Sequence, residues 1–176
     1  MTAACREDVT TTYGLFCIAA DTYKEADGKA GLTSADQQHA DNRTFFRVFD
    51  GKFVGGNATK SGATIVFWHN AQAYIYNGLF IGGYAKEYGG NFSIAGAAST
   101  MNIYGGTFTG GESGWSGGNI YISAGKMNIY GGTFTDGVAG TTGGNIGAGA
   151  PTYIKGATIS GGTAGTHGGD ISWLNN

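Results

Sequence analysis

From Phe46 onward the apolar residues of this chain recur at every second position in short runs, and the runs end at glycine pairs. A period of two predicts strands with one buried face, and helical spacing does not fit these runs. The runs themselves repeat. MNIYGGTFTGGESGWSGGNIYI begins at Met101 and MNIYGGTFTDGVAGTTGGNIGA at Met127. The same frame extends both ways, so that Phe49, Tyr76, Tyr104, Tyr130 and Lys155 hold one equivalent position at steps of 27, 28, 26 and 25 residues. A period of this length, drifting by a residue or two, predicts a stack of coils whose loops absorb the extra residues.

The aligned copies show which side chains face inward. Val48, Ile75, Ile103, Ile129 and Ile154 form one apolar column, and Phe53, Phe80, Phe108, Phe134 and Ile159 a second. A third runs Ile65, Phe92, Ile120, Ile146, Ile171, and a fourth Phe67, Ile94, Ile122, Ala148, Trp173. Gly105-Gly106, Gly110-Gly111 and Gly117-Gly118 divide the third copy into strand segments, and glycine suits sharp corners because it reaches positive φ without a steric penalty. The expected fold is all-β: a three-sided parallel β-helix, or β-solenoid, of about five coils of 25–28 residues spanning 43–176. At about 4.8 Å per coil it would stand about 24 Å tall.

The first 42 residues differ in composition. They hold seven acids (Glu7, Asp8, Asp21, Glu25, Asp27, Asp36, Asp41) against three bases (Arg6, Lys24, Lys29), and only Gly14, Gly28 and Gly31 of the 35 glycines. A solenoid needs an atypical terminal unit over its open core, so 1–42 is expected to form an N-terminal cap. Within it Tyr13–Ala20 reads as a buried strand, and Thr33–Asp41 as a short helix with Thr33 or Ser34 as N-cap. Cys5 and Cys17 both lie there. Paired, they would close a short loop worth about 3 kcal/mol and imply an oxidising compartment; two unpaired thiols are the alternative.

At 176 residues and 41% hydrophobic the chain suits one core. No run of about 18 apolar residues indicates a transmembrane segment, and no signal peptide is visible. A net charge of −2 without a basic patch argues against nucleic acid as a partner. His39, His69 and His167 fall in separate segments and read as loop residues, so neither metal nor cofactor is expected.

Four polar or aromatic columns carry the candidate chemistry. Thr64, Asn91, Asn119, Asn145 and Asp170 suggest a ladder of side-chain hydrogen bonds between coils, a metal cage being disfavoured by the single carboxylate. Tyr76, Tyr104 and Tyr130 alternate with inward Ile and should form an outward stripe, either stacked across strands or available to sugar rings or a protein. Thr107 and Thr109, Thr133 and Thr135, and Thr158 with Ser160 make two hydroxyl columns on one face. They resemble the Thr-x-Thr lattice of ice-binding solenoids, interrupted by Lys52, Val54, Leu79 and Ile81 in the first two coils. Glu112 and Asp136 are the best carboxylate pair for glycoside chemistry, about 8 Å apart by strand geometry, yet both sit in glycine turns.

GGNF at Gly89, GGNI at Gly117 and Gly143, and GGDI at Gly168, with GGTF or a relative upstream, resemble the repeats of right-handed parallel β-helix proteins of bacterial surface and secreted type. Autotransporter passengers and polymorphic outer-membrane-protein repeats are similar, the latter with Ala where this chain has Asn. The resemblance covers about 46–176 and implies right-handed coils and an extracellular or cell-surface location. The function expected is a non-catalytic scaffold or adhesin-type module whose partners are glycans, host or cell-surface proteins, or further copies of itself stacked end to end into filaments. Polysaccharide lyase or glycoside hydrolase activity and ice binding are the alternatives.

Overall fold

The computed structural model describes residues 16–19, 44–68 and 70–173. Among these there is no helix, and every strand pairs parallel with its equivalent one coil away. The first coil comprises β2 (Thr44–Val48), β3 (Lys52–Val54), β4 (Asn57–Ala58) and β5 (Ile65–Trp68), after β1 (Phe16–Ala19). The second has β6 (Ala71–Ile75), β7 (Leu79–Ala85) and β8 (Phe92–Ile94); the third, β9 (Thr100–Ile103), β10 (Thr107–Ser113) and β11 (Ile120–Ile122). The fourth has β12 (Lys126–Ile129), β13 (Thr133–Thr135), β14 (Val138–Ala139) and β15 (Ile146–Ala148), and the fifth β16 (Thr152–Ile154), β17 (Thr158–Ser160), β18 (Thr163–Ala164) and β19 (Ile171–Trp173).

Three parallel sheets result, of five, eight and six strands, and the chain is a β-solenoid of about five coils. β2, β6, β9, β12 and β16 make the first face; the second contains β7 and β10, and β1, β5, β8, β11, β15 and β19 form the third. The register of all four apolar columns is the one the repeats predict, for example Phe80 opposite Phe108 and Phe108 opposite Phe134. β1 falls within the strand expected over Tyr13–Ala20 and extends the third face, Phe16 opposite Ile65 and Ile18 opposite Phe67. The expected helix over Thr33–Asp41 and the pairing of Cys5 with Cys17 lie outside the described residues.

Inside the coils the columns become stacks. Phe53, Phe80, Phe108 and Phe134 lie ring on ring at 4.6–4.8 Å and within 12° of parallel, and Phe92 meets Phe80 and Phe108 edge-on. Each such pair adds about 0.5–1.5 kcal/mol beyond the burial of its area. Met101 and Met127 continue a fifth inward column from Phe46 and Ala73, fully buried at a position where each coil fills slightly different space.

The corners depart from expectation at one place. Gly110-Gly111 does not separate two faces; it lies inside β10, which runs unbroken from Thr107 to Ser113. The third corner is made instead at Ser123–Gly125, between β11 and β12, where Gly125 has φ +87°. Gly110 takes φ +62° and bends the strand while coil-to-coil pairing resumes directly after it, Gly111 opposite Gly83 and Glu112 opposite Tyr84. Gly111 has no room for a side chain, since a Cβ there would collide with the Gly118 carbonyl across the coil.

The asparagine column locks that bend. Thr64, Asn91, Asn119 and Asn145 are wholly buried, and Asn91 Nδ2 donates to Asn119 Oδ1 at 2.8 Å, Asn119 Nδ2 to Asn145 Oδ1 at 2.7 Å and Asn145 Nδ2 to Asp170 Oδ1 at 2.7 Å. Thr64 Oγ1 closes the upper end on Asn91 Oδ1 at 3.3 Å. The amides also span the coil: Gly111 N donates to Asn119 Oδ1 and Gly137 N to Asn145 Oδ1, each at 3.0 Å, while Asn119 Nδ2 donates to the Thr135 carbonyl at 2.9 Å. The ladder thus lies inside the coil and ties the third face to the bend of the second. That satisfies buried backbone groups that the bend removes from regular pairing.

Candidate binding surfaces

Tyr76, Tyr104 and Tyr130 each follow the last inward Ile of a first-face strand and emerge half-exposed. Phe49 begins the same stack. Ring centroids are 5.1 Å apart from Phe49 to Tyr76 and 5.2 Å at the next two steps, with interplanar angles of 5°, 9° and 14°. The faces of the inner rings therefore lie on one another, and what solvent meets is a row of ring edges and phenol hydroxyls. This is the cross-strand stacking arrangement, and it leaves a flat sugar ring no inner face to lie on. Partial burial, then neighbouring Tyr130, Tyr76 and Tyr74, raises the Tyr104 phenol above its ordinary pKa.

The hydroxyl columns keep their register, Thr107–Thr133–Thr158 and Thr109–Thr135–Ser160, with Lys52–Leu79 and Val54–Ile81 at the same positions above them. Thr135 Oγ1 donates to Thr109 Oγ1 at 3.1 Å, so part of this face bonds to itself. Glu112 and Asp136 stand on adjacent coils as expected, but Glu112 is not in a turn: it lies within β10, paired opposite Tyr84 and Val138. Asp136 has φ +55°, and Gly82, Gly110 and Gly161, which precede it and follow it in the same column, are all left-handed. Its backbone is thus what the bend demands in the second to fifth coils. His167 is exposed and pairs through its backbone with Thr142; His39 and His69 lie outside the described residues. No group of three His, Cys, Asp or Glu side chains that could hold a metal ion occurs among the described residues.

A further site escapes the column-by-column reading. On the outer side of the third face, a cavity of about 290 Å³ is lined by Trp68, Tyr88 and Tyr121, by Ser61, Ser93, Ala95 and Ser123, and by Lys60 and Glu87. Each aromatic breaks its own column. Tyr121 stands opposite Ser93 and Gly147; Tyr88 bridges to Ser116, itself opposite Thr142; and Trp68 lies one residue beyond Phe67 where the next coils have Ala95 and Ser123. Small residues of the second coil therefore floor a notch between Trp68 of the first coil and Tyr121 of the third. Tyr88 stacks on Tyr121 at 4.3 Å and 16°, and Trp115 meets Tyr88 edge-on at 5.2 Å. Burial raises both phenols above their usual pKa, with Glu87 adding to the shift of Tyr88 and Tyr88 to that of Tyr121. The signal in the sequence was there: one aromatic among small residues in each of three columns. Only the coil's cross-section brings those columns together.

No protein-family model, curated protein or solved structure matches the chain. No helix of the described residues is long and apolar enough to cross a membrane.

Proposed function

We propose that this chain is a non-catalytic β-solenoid scaffold of adhesin type, acting outside the cell or at its surface. The observation that carries the reading is the outward aromatic ladder, Phe49 to Tyr130, held at a fixed spacing by a backbone that pairs at every coil. A ladder of half-exposed rings on a rigid wall is a surface suited to contact with a partner, since aromatic edges and hydroxyls offer apolar area with little conformational entropy to lose. The likeness of the GGN-aliphatic repeats to bacterial surface proteins supports the location. Asp136 takes a left-handed backbone conformation that glycine supplies in the neighbouring coils, and Glu112 lies within β10 opposite Tyr84 and Val138, which supports a structural role for both.

Self-stacking extends this reading. Ile154, Ile159 and Ile171 of the fifth coil are only partly buried and Trp173 is half-exposed, so this face of the stack offers apolar area and strand edges to a further coil. Light scattering across a concentration series tests it: mass rising with concentration, and falling back in Trp173→Ser, is the expected result. Reducing-end release from a panel of polysaccharides, abolished by Glu112→Ala with Asp136→Ala, would replace the scaffold by an enzyme.

A further inference from the structure

We infer that the aromatic cavity on the third face binds a neutral pyranose ring, as a free glycoside or as one residue of a glycan. In a solenoid each coil contacts only its neighbours, and residues that break their columns need not converge on one place. Here three do so: Trp68, Tyr88 and Tyr121 surround one notch.

The lining selects the ligand class. Trp68 and the ring surfaces that the Tyr88–Tyr121 stack leaves uncovered offer apolar area suited to the C–H face of a sugar, and Ser61, Ser93 and Ser123 bring hydroxyls, that of Ser123 donating to the Ile94 carbonyl at 3.3 Å and still able to accept. A plain hydrocarbon would bury these polar groups without partners. One cation, Lys60, and one carboxylate, Glu87, share the wall, so its charges balance and favour a ligand of neither sign. A polyol ring with apolar faces and a hydroxylated rim satisfies both kinds of surface. About 290 Å³ is at the small end for ligand cavities, which suits one ring and not a folded partner. Trp68 and Tyr121 stand two coils apart, about 9.6 Å along the stack, and Tyr88 occupies part of that gap. Trp68, Ser93 and Tyr121 sit on β5, β8 and β11, which limits the ordering that accompanies binding.

This ligand class rests on reading the molecule as a binding module, and the two are tested separately. Calorimetric titration of the whole chain with methyl glucoside, methyl galactoside, methyl N-acetylglucosaminide and their β-linked oligomers should show saturable binding of at least one. Tyr88→Ser and Tyr121→Ser place in these columns the residue that Ser116 and Ser93 already supply, so the fold has a precedent for each. Both should weaken binding roughly tenfold or more. Ala95→Leu, which fills the floor, should do the same, whereas Tyr104→Ser on the first face should leave affinity unchanged. The inference is overturned if no glycoside binds at about 10 mM, the weak end of specific association. It is equally overturned if binding survives all three cavity substitutions, or if tetramethylammonium binds there and no glycoside does. Hydrolysis of the oligomers that bind would remove the non-catalytic reading while leaving the cavity's ligand as inferred; absence of binding would remove the ligand and leave the scaffold.

Discussion

Replacing Asn119 by alanine tests the central claim about how the coils are held. Its amide makes four hydrogen bonds in a position with no solvent exposure: it accepts from Asn91 Nδ2 and Gly111 N, and donates to Asn145 Oδ1 and the Thr135 carbonyl. At about 1 kcal/mol net for each bond the loss is about 4 kcal/mol, and the substitution leaves the Gly111 N–H orphaned inside the coil. Against a typical stability of about 5–15 kcal/mol that is a large fraction. For a domain of this size, with a melting point moving about 2–4 °C per kcal/mol, the expected fall is roughly 8–16 °C. Two comparisons isolate the cause. Thr64→Ala removes one long bond at the ladder's end and should lower stability by about 1 kcal/mol. Asn102→Ala removes an acceptor from the less buried pair it forms with Asn128 at 2.9 Å, where water can substitute, and should change stability by less than about 1 kcal/mol. Urea and thermal unfolding followed by circular dichroism would measure all three. If Asn119→Ala loses no more than Thr64→Ala, the ladder does not hold the bend and the argument fails.

Three other outcomes follow from the same geometry. Gly118→Ala should prevent folding, because its Cβ would collide with the Gly144 carbonyl and the Val138 amide of the neighbouring strands, whereas Gly110→Ala meets nothing within 4 Å. The latter should lose only the left-handed backbone penalty of about 1–2 kcal/mol; equal yields of folded protein from the two would contradict this. Ser113 is buried in a column otherwise made of Ala58, Ala85, Ala139 and Ala164, and its Oγ has no hydrogen-bond partner, so Ser113→Ala should raise stability by about 1 kcal/mol in urea unfolding. Tyr88, Tyr104 and Tyr121 ionise at higher pH in the folded protein than in the unfolded chain. Their contribution is intact below about pH 10 and is lost as pH rises through the raised values, so melting temperature should hold from about pH 7 to 9 and fall above 10, less steeply in Tyr88→Ser.

The sequence by itself determined the coil number, the three strand-bearing faces, the four apolar columns and the asparagine ladder. The physical reason is that a solenoid's contacts join residues one period apart, so aligning Ile103 with Ile129 or Asn119 with Asn145 is already a statement of spatial pairing. Contacts within a coil carry no such signature. Gly110-Gly111 reads like the corner at Gly117-Gly118, and only the folded cross-section shows that it bends one strand toward Gly118 and is held there by Asn119. Outward alternation identified the tyrosine column correctly, but whether Tyr76, Tyr104 and Tyr130 offer faces or edges depended on ring angles, 9° and 14° with centroids 5.2 Å apart, which only the folded stack decides. The aromatic cavity was hidden for the same reason: Trp68, Tyr88 and Tyr121 belong to three different columns, and how far apart columns lie around a coil is set by the turns between strands, which no repeat period encodes.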